Sequence, residues 1–151
     1  MAVNYKPEGY YDVTPYIVVD GADKLIDFMT QAFGAKERMR MPGPGGKVGH
    51  AEMEIGDSVI MLADSATADN NRTATAMINL YVKDSDATFK EAVAAGAKVD
   101  QDLETKFYGD RGGSVIDRWG NLWVISTHVE DVPPEEMEQR AKDFMAKQGQ
   151  A

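Results

Sequence analysis

Tyr16-Ile-Val-Val-Asp-Gly-Ala-Asp-Lys-Leu-Ile-Asp-Phe28, set beside Asn79-Leu-Tyr-Val-Lys-Asp-Ser-Asp-Ala-Thr-Phe-Lys-Glu91, matches Val19 to Val82 and Asp23 to Asp86 at an offset of 63. Further on, Gly34-Ala-Lys36 meets Gly96-Ala-Lys98 at an offset of 62, and Gly56-Asp57 faces Gly120-Asn121 at 64. Anchors that drift by only a residue or two are the mark of a duplicated unit. Any fold assigned to the chain therefore has to be built twice.

Working outward from that pair, each copy reads strand, helix, strand, strand, strand. Thr14 to Asp20 is a strand, after which Leu25, Phe28, Met29, Ala32 and Phe33 recur at helical spacing. Gly34 supplies a left-handed helix stop. Met39 and Met41 alternate as a second strand, Pro42-Gly-Pro-Gly-Gly46 is a turn, and Val48 to Ile55 alternates as a third strand. Gly56-Asp57 closes a hairpin onto Ser58 to Asp64. Ser65 to Ala74 is polar and aperiodic and reads as a linker. The second copy has strands at Ala76 to Val82, near Lys98 to Thr105, at Ser114 to Arg118 and at Leu122 to His128, with a helix opened by Ser85 and carrying Phe89, Ala92 and Val93. After His128, Pro133-Pro-Glu-Glu136 starts a final helix whose apolar stripe is Met137, Ala141, Phe144 and Met145.

The composition bounds what such a chain does. Its 151 residues are 43% hydrophobic and 27% charged, an ordinary globular balance, and the longest apolar runs, such as Val59 to Ala63, are strand-sized. No cysteine is present, which excludes a disulfide scaffold, a thiolate nucleophile and a zinc ribbon. A net charge of -9 disfavours nucleic acid and anionic membranes as partners, leaving a small-molecule ligand. The first residues carry no apolar signal segment, so the expected location is cytoplasmic.

Phosphate and hydrolase motifs fail on inspection. Gly43-Pro-Gly-Gly-Lys-Val48 lacks the Ser or Thr of a phosphate loop and misses the dinucleotide spacing, and no Gly-x-Ser-x-Gly elbow occurs. The two histidines, His50 and His128, are the focus of any metal or acid–base chemistry. By the period of two, His50, Glu52 and Glu54 share one strand face, while the apolar Ala51, Met53 and Ile55 face the helices. His50 and Glu52 are thus candidate acid–base groups, with a solvated strand face as the alternative. Tyr108 and Arg111, in Phe107-Tyr-Gly-Asp-Arg-Gly-Gly113, are candidate ligand contacts, Arg111 as a fork onto an anion; the alternative is a local Asp110–Arg111 pair. Trp119 and Trp123 read as core or turn anchors.

Two βαβββ units in one chain resemble the vicinal oxygen chelate superfamily, which includes glyoxalase I, bleomycin and fosfomycin resistance proteins and extradiol dioxygenases. Thr14-Pro-Tyr-Ile-Val-Val-Asp-Gly-Ala, Met39-Arg-Met-Pro-Gly-Pro-Gly-Gly-Lys-Val, His50-Ala-Glu-Met-Glu-Ile-Gly-Asp-Ser, Phe107-Tyr-Gly-Asp-Arg and Asp117-Arg-Trp-Gly-Asn-Leu-Trp are similar to its PhnB-like, glyoxalase-related branch. The resemblance implies an α+β fold of paired βαβββ modules forming an open, cup-shaped mixed sheet. The domain spans 1–131 (module 1 about 12–64, linker 65–74, module 2 about 75–128), and a C-terminal helix and tail follow over 132–151. It further implies that four metal ligands of the superfamily would fall at Thr14, Ile60, Met77 and Val124, none of which suits a divalent ion.

The expectation is a glyoxalase-like protein without the usual metal and with no cofactor. It binds a small anionic organic molecule in a concave pocket and forms a homodimer. Tyr16 and Asn79, at matched positions of the two units, join Tyr108 and Arg111 as ligand contacts. The alternative is a metal-dependent or metal-free lyase or isomerase of the glyoxalase type that uses His50 and Glu52, with His128 completing a substitute metal set in the metal-dependent form.

Overall fold

A computed structural model describes residues 2–149 of the chain and divides it into two compact units, one ending at Ala76 and the other beginning at Met77. In the first unit the order is β1 (Tyr16–Val19), α1 (Ala22–Phe33), β2 (Lys36–Pro42), β3 (Val48–Ile55) and β4 (Ser58–Asp64). The second repeats it with β5 (Met77–Tyr81), α2 (Ser85–Ala94), β6 (Lys98–Thr105), β7 (Asp110–Ile116) and β8 (Leu122–His128), and adds α3 (Pro134–Gln148). The sheets run β1-β4-β3-β2 and β5-β8-β7-β6, each with one parallel pair at the first strand.

The registers establish the duplication residue by residue. Tyr16 lies opposite Met61 in the first sheet and Asn79 opposite Val124 in the second, so the offset of 63 holds for β1, β4, β5 and β8. Glu52 pairs with Met39 and Ser114 with Gln101, an offset of 62. The slip of one residue between these offsets lies between the two central strands of each sheet, β3 and β4 in the first and β7 and β8 in the second.

One face of each sheet is buried under its helix. Ile17, Ala51, Met53 and Leu62 are fully enclosed together with Leu25 and Met29 of α1. In the second unit Val115, Trp123 and Ile125 are enclosed, and α2 contributes Phe89 and Ala92. Trp123 is the turn anchor expected of it: its indole N–H donates to Asp117 at 2.9 Å. The same carboxylate accepts the backbone N–H groups of Trp119 and Asn121, tying the turn between β7 and β8.

Several boundaries differ from the periodicity. The second strand extends over seven residues rather than the Met39–Met41 core, and β7 begins at Asp110 rather than Ser114. The expected linker contains two short 3-10 turns, and its end, Ala74, bridges back to Val18. Both β2 and β6 carry a bulge that periodicity does not register, at Arg38 and at Asp100, in equivalent positions. Among the described residues no helix is long and apolar enough to cross a membrane.

Candidate functional site

The chemistry sits on the open face of each sheet, opposite the helix, and the two faces have diverged. In the first unit this face carries Tyr16, His50, Glu52 and Met61. Tyr16 hydroxyl lies 2.8 Å from His50 Nδ1, His50 Nε2 lies 2.9 Å from Glu52 Oε2, and Tyr10 donates to Glu52 Oε1 at 2.5 Å. Strand parity thus does bring His50 and Glu52 together, and Tyr16 with them. Tyr10 has no sequence signal; it returns from the N-terminal segment, 42 residues away, and is held under Arg38, whose guanidinium carbon is 4.7 Å from its ring centre. Arg38 reaches it because the bulge gives that residue no cross-strand partner.

Glu52 is 3% exposed. Burial pushes its carboxyl up, but hydrogen bonds from Tyr10 and His50, with the charges of His50 and Arg38, outweigh this and hold it below the ordinary carboxylate value. An ionised Glu52 only accepts, so His50 Nε2 must carry a hydrogen, and in the neutral ring Nδ1 is then the acceptor for the Tyr16 O–H. Burial and the Glu52 charge raise Tyr16 above its usual value, keeping the phenol protonated. With the ring neutral, the result is a directed chain, Tyr16 to His50 to Glu52; in either state of the ring the three are hydrogen-bonded in a row, with Tyr16 44% exposed at its outer end.

At the corresponding places the second unit has Asn79, Gly112 and Ser114. Where the first face carries His50 and Glu52, the second has only a hydrogen and a hydroxymethyl. A Cβ on Gly112 would meet Ile125 O and Ser126 Oγ at 2.5 Å, so the position has no space for a side chain. Over this floor lies a cavity of about 570 Å3, walled by Met77, Leu122, Val124, Phe107, Tyr108 and Phe144. Tyr108 is therefore a wall residue, and Asn79 lies on the same face beside Val124. Phe107 meets Tyr108 edge-on at 5.2 Å and Phe144 of α3 at 5.0 Å. Gly109, at φ +95°, lets this loop press against the backbone of Glu130, where a Cβ would sit 2.2 Å from the carbonyl oxygen.

His128 belongs to a third cluster. Its Nδ1 lies 2.8 Å from Asp110 and its Nε2 2.7 Å from Asp131, while Tyr81 donates to the other Asp110 oxygen at 2.6 Å. The two carboxylates raise the His128 pKa above its ordinary value, Asp110 most strongly. Neither ring nitrogen is left free, and among the described residues no three His, Asp or Glu side chains are grouped to hold a metal.

Two expectations are corrected. Arg111 does not reach the open face: it alternates with Asp110 and Gly112 onto the helix-bearing side, where it forks onto Asp86 of α2 at 2.8 and 3.0 Å. Ile60 is likewise on the helix side, opposite Met53 and 4% exposed; the register makes Met61 the counterpart of Val124. The positions implied for metal ligands are therefore Thr14 and Met61 in one unit and Met77 and Val124 in the other. A hydroxyl, two thioethers and an isopropyl group do not fit a hard divalent cation.

Comparison with known proteins agrees with the topology. An uncharacterized protein of Mycobacterium tuberculosis strain H37Rv, Rv0887c, is 37% identical over 147 residues, covering 91% of this chain and 84% of that protein. Among solved structures, TioX from Micromonospora sp. ML1 superposes with a TM-score of 0.67 at 24% identity, over 79% of this chain and 99% of that one. The PhnB protein from Bacillus cereus superposes at 0.64 and 18% identity, over 78% and 99%. Residues 12–125 match the pattern of one family as a whole. The chain belongs to the Glyoxalase/Bleomycin resistance protein/Dioxygenase superfamily.

Proposed function

We propose that this protein is a glyoxalase-like binding protein that takes a small organic molecule on the open face of its second unit and uses no superfamily metal. The observation that carries this reading is the cavity of about 570 Å3 between the β6–β8 face and the rings of Phe107, Tyr108 and Phe144. Its size is that of small-ligand sites, which run from about 300 to 1,000 Å3. The lining is mainly apolar and aromatic, with Ser114, Ser126 and Gln101 supplying hydrogen bonds.

The anionic ligand expected from Arg111 is replaced by an uncharged or cationic one, because Arg111 is engaged with Asp86 and Lys106 of the cavity wall is paired with Glu104. Titrating labelled protein with small aromatic compounds tests the reading. Shifts confined to Phe107, Tyr108, Ser114 and Phe144, unaffected by a chelator, are the expected result. A stoichiometric Zn, Ni, Fe or Mn in purified protein would overturn the metal-free part. The proposal includes a cytoplasmic homodimer, which light scattering and fractionation test.

A second reading is favoured by the Tyr16–His50–Glu52 chain: metal-free acid–base turnover, with Tyr16 meeting the substrate. Assays with hemithioacetal and epoxide substrates, with and without divalent metal, separate it from binding alone. Turnover by the native protein without added metal, lost in Tyr16→Phe, is the result that would favour it.

A further inference from the structure

The walls of the second-unit cavity carry a charge that its function has not yet used. Asp100 is the bulge residue of β6, lying between Val99, which pairs with Val115, and Gln101, which pairs with Ser114. With no cross-strand partner of its own, it turns onto the open face and lines the cavity. Ser114 donates to its Oδ2 at 2.7 Å, fixing the carboxylate, while Oδ1 has no protein donor among the described residues. Lys106 is the single cation of the lining, and its ammonium is paired with Glu104. Asp100 is thus an oriented, uncompensated anion that shares the lining of a ligand-sized space with three aromatic rings.

We infer that this cavity selects organic cations: a substituted ammonium, or an amine attached to a flat ring, with Asp100 as counter-ion and Phe107, Tyr108 and Phe144 as its aromatic wall. The inference rests on the cavity being the ligand site. Ring faces attract cations through their quadrupole, and a carboxylate held by one hydroxyl adds direct charge complementarity without having to be ordered on binding. The net charge of -9 concentrates cations around the protein and repels anions. The equivalent bulge residue in the first unit, Arg38, has the opposite sign and stacks on Tyr10, so the charge at this position differs between the two copies.

Three probes of one size test the inference: benzyltrimethylammonium, benzyl alcohol and benzoate, titrated into the full chain and into Asp100→Asn and followed by amide and aromatic NMR shifts. The expected result is that benzyltrimethylammonium binds roughly tenfold more tightly than benzyl alcohol, that benzoate is excluded, and that Asp100→Asn removes the tenfold preference by weakening the cation far more than the alcohol. Asparagine still accepts from Ser114 at an exposed position, so the variant keeps its fold. Equal binding of the cation and the alcohol, or a preference that survives Asp100→Asn, overturns the inference and leaves the cavity as a neutral-ligand site. If no probe shifts the cavity residues, the ligand-site reading falls and the inference with it.

Discussion

Asp64 and Thr127 stand at the same place in the two repeats, at the end of the last strand, and each accepts the backbone N–H that opens its unit's helix. Ala22 N–H donates to Asp64 Oδ1 at 3.0 Å, and Ser85 N–H to Thr127 Oγ1 at 2.8 Å. Asp64 also takes Gly21 N–H at 2.8 Å and, through its other oxygen, Val48 N–H at 2.7 Å. A device that holds helix to sheet has been kept in both copies with different chemistry.

The difference predicts unequal costs. Asp64→Ala strands three donors, two of them in the buried core, and should lower stability by about 4 kcal/mol, at roughly 1–3 kcal/mol for each buried unpaired group. Thr127→Ala strands one donor, Ser85 N–H, and removes the hydroxyl that donates to Val82 O, both at a half-buried site, and should cost about 1–2 kcal/mol. Urea unfolding of both variants measures this; equal losses would mean the two caps are equivalent after all.

Glu52 gives the first unit an acid-sensitive lock. Its carboxyl lies below the ordinary value of 4.5, so the folded state favours the charged form, and the stabilisation present at neutral pH is lost as pH falls below 4.5 through the depressed value. Glu52→Gln should flatten the acid limb of the stability curve. Tyr10→Phe should raise the Glu52 midpoint, which carboxyl carbon shifts report. An unchanged midpoint would mean that the Tyr10 hydrogen bond does not hold the charge.

How much of this could be read beforehand depended on whether the information was local. Strand parity alone assigned His50 and Glu52 to one face, because alternation is a property of the strand itself. The repeat signal at Val19 and Val82 likewise sufficed for the βαβββ order. Arg111 falls on the helix side because β7 starts at Asp110 rather than at Ser114, so alternation sets its face and brings it to Asp86 of α2. The pattern alone does not separate Ile60 from Met61, because a one-residue slip reverses the face and only the register fixes it. The bulges at Arg38 and Asp100 leave no mark in a hydropathy pattern, yet they aim the two charges that distinguish the faces.

Arg111→Ala is accordingly expected to leave the affinity for benzyl alcohol and benzyltrimethylammonium unchanged. Its effect should fall on α2, where amide exchange at the first turn rises once Asp86 loses its fork. Weakened binding of either probe would return Arg111 to the site.

His128 is predicted to titrate above 6.5 because Asp110 and Asp131 both favour its charged form. Raised values work opposite to depressed ones: the stabilisation is fully present below 6.5 and is lost as pH rises through the raised value. Tyr81, which donates to Asp110, shares that carboxylate with the ring. Asp110→Asn and Asp131→Asn should each lower the ring-proton midpoint, Asp110→Asn by more. A midpoint at or below 6.5 in the native protein would show that solvent screening defeats both pairs.

The final helix is held by very little, and that makes it separable. No residue of α3 is buried. Its ties are Arg140, which donates to Phe107 O at 3.1 Å and forks onto Glu130 at 2.7 and 3.0 Å, and Phe144 against the Phe107 ring. Arg140→Ala should therefore bring amide exchange over 134–148 to near-peptide rates while β5 to β8 stay protected and the melting temperature scarcely moves. Arg140→Lys should not restore protection, because an ammonium cannot span the carboxylate and the Phe107 carbonyl as a planar fork does. Since Phe144 is a wall of the cavity, loosening α3 should also weaken aromatic probes, and Phe144→Ala should weaken them with the helix still in place. Full protection of α3 in Arg140→Ala would refute this, because the apolar contact alone would then be holding the helix.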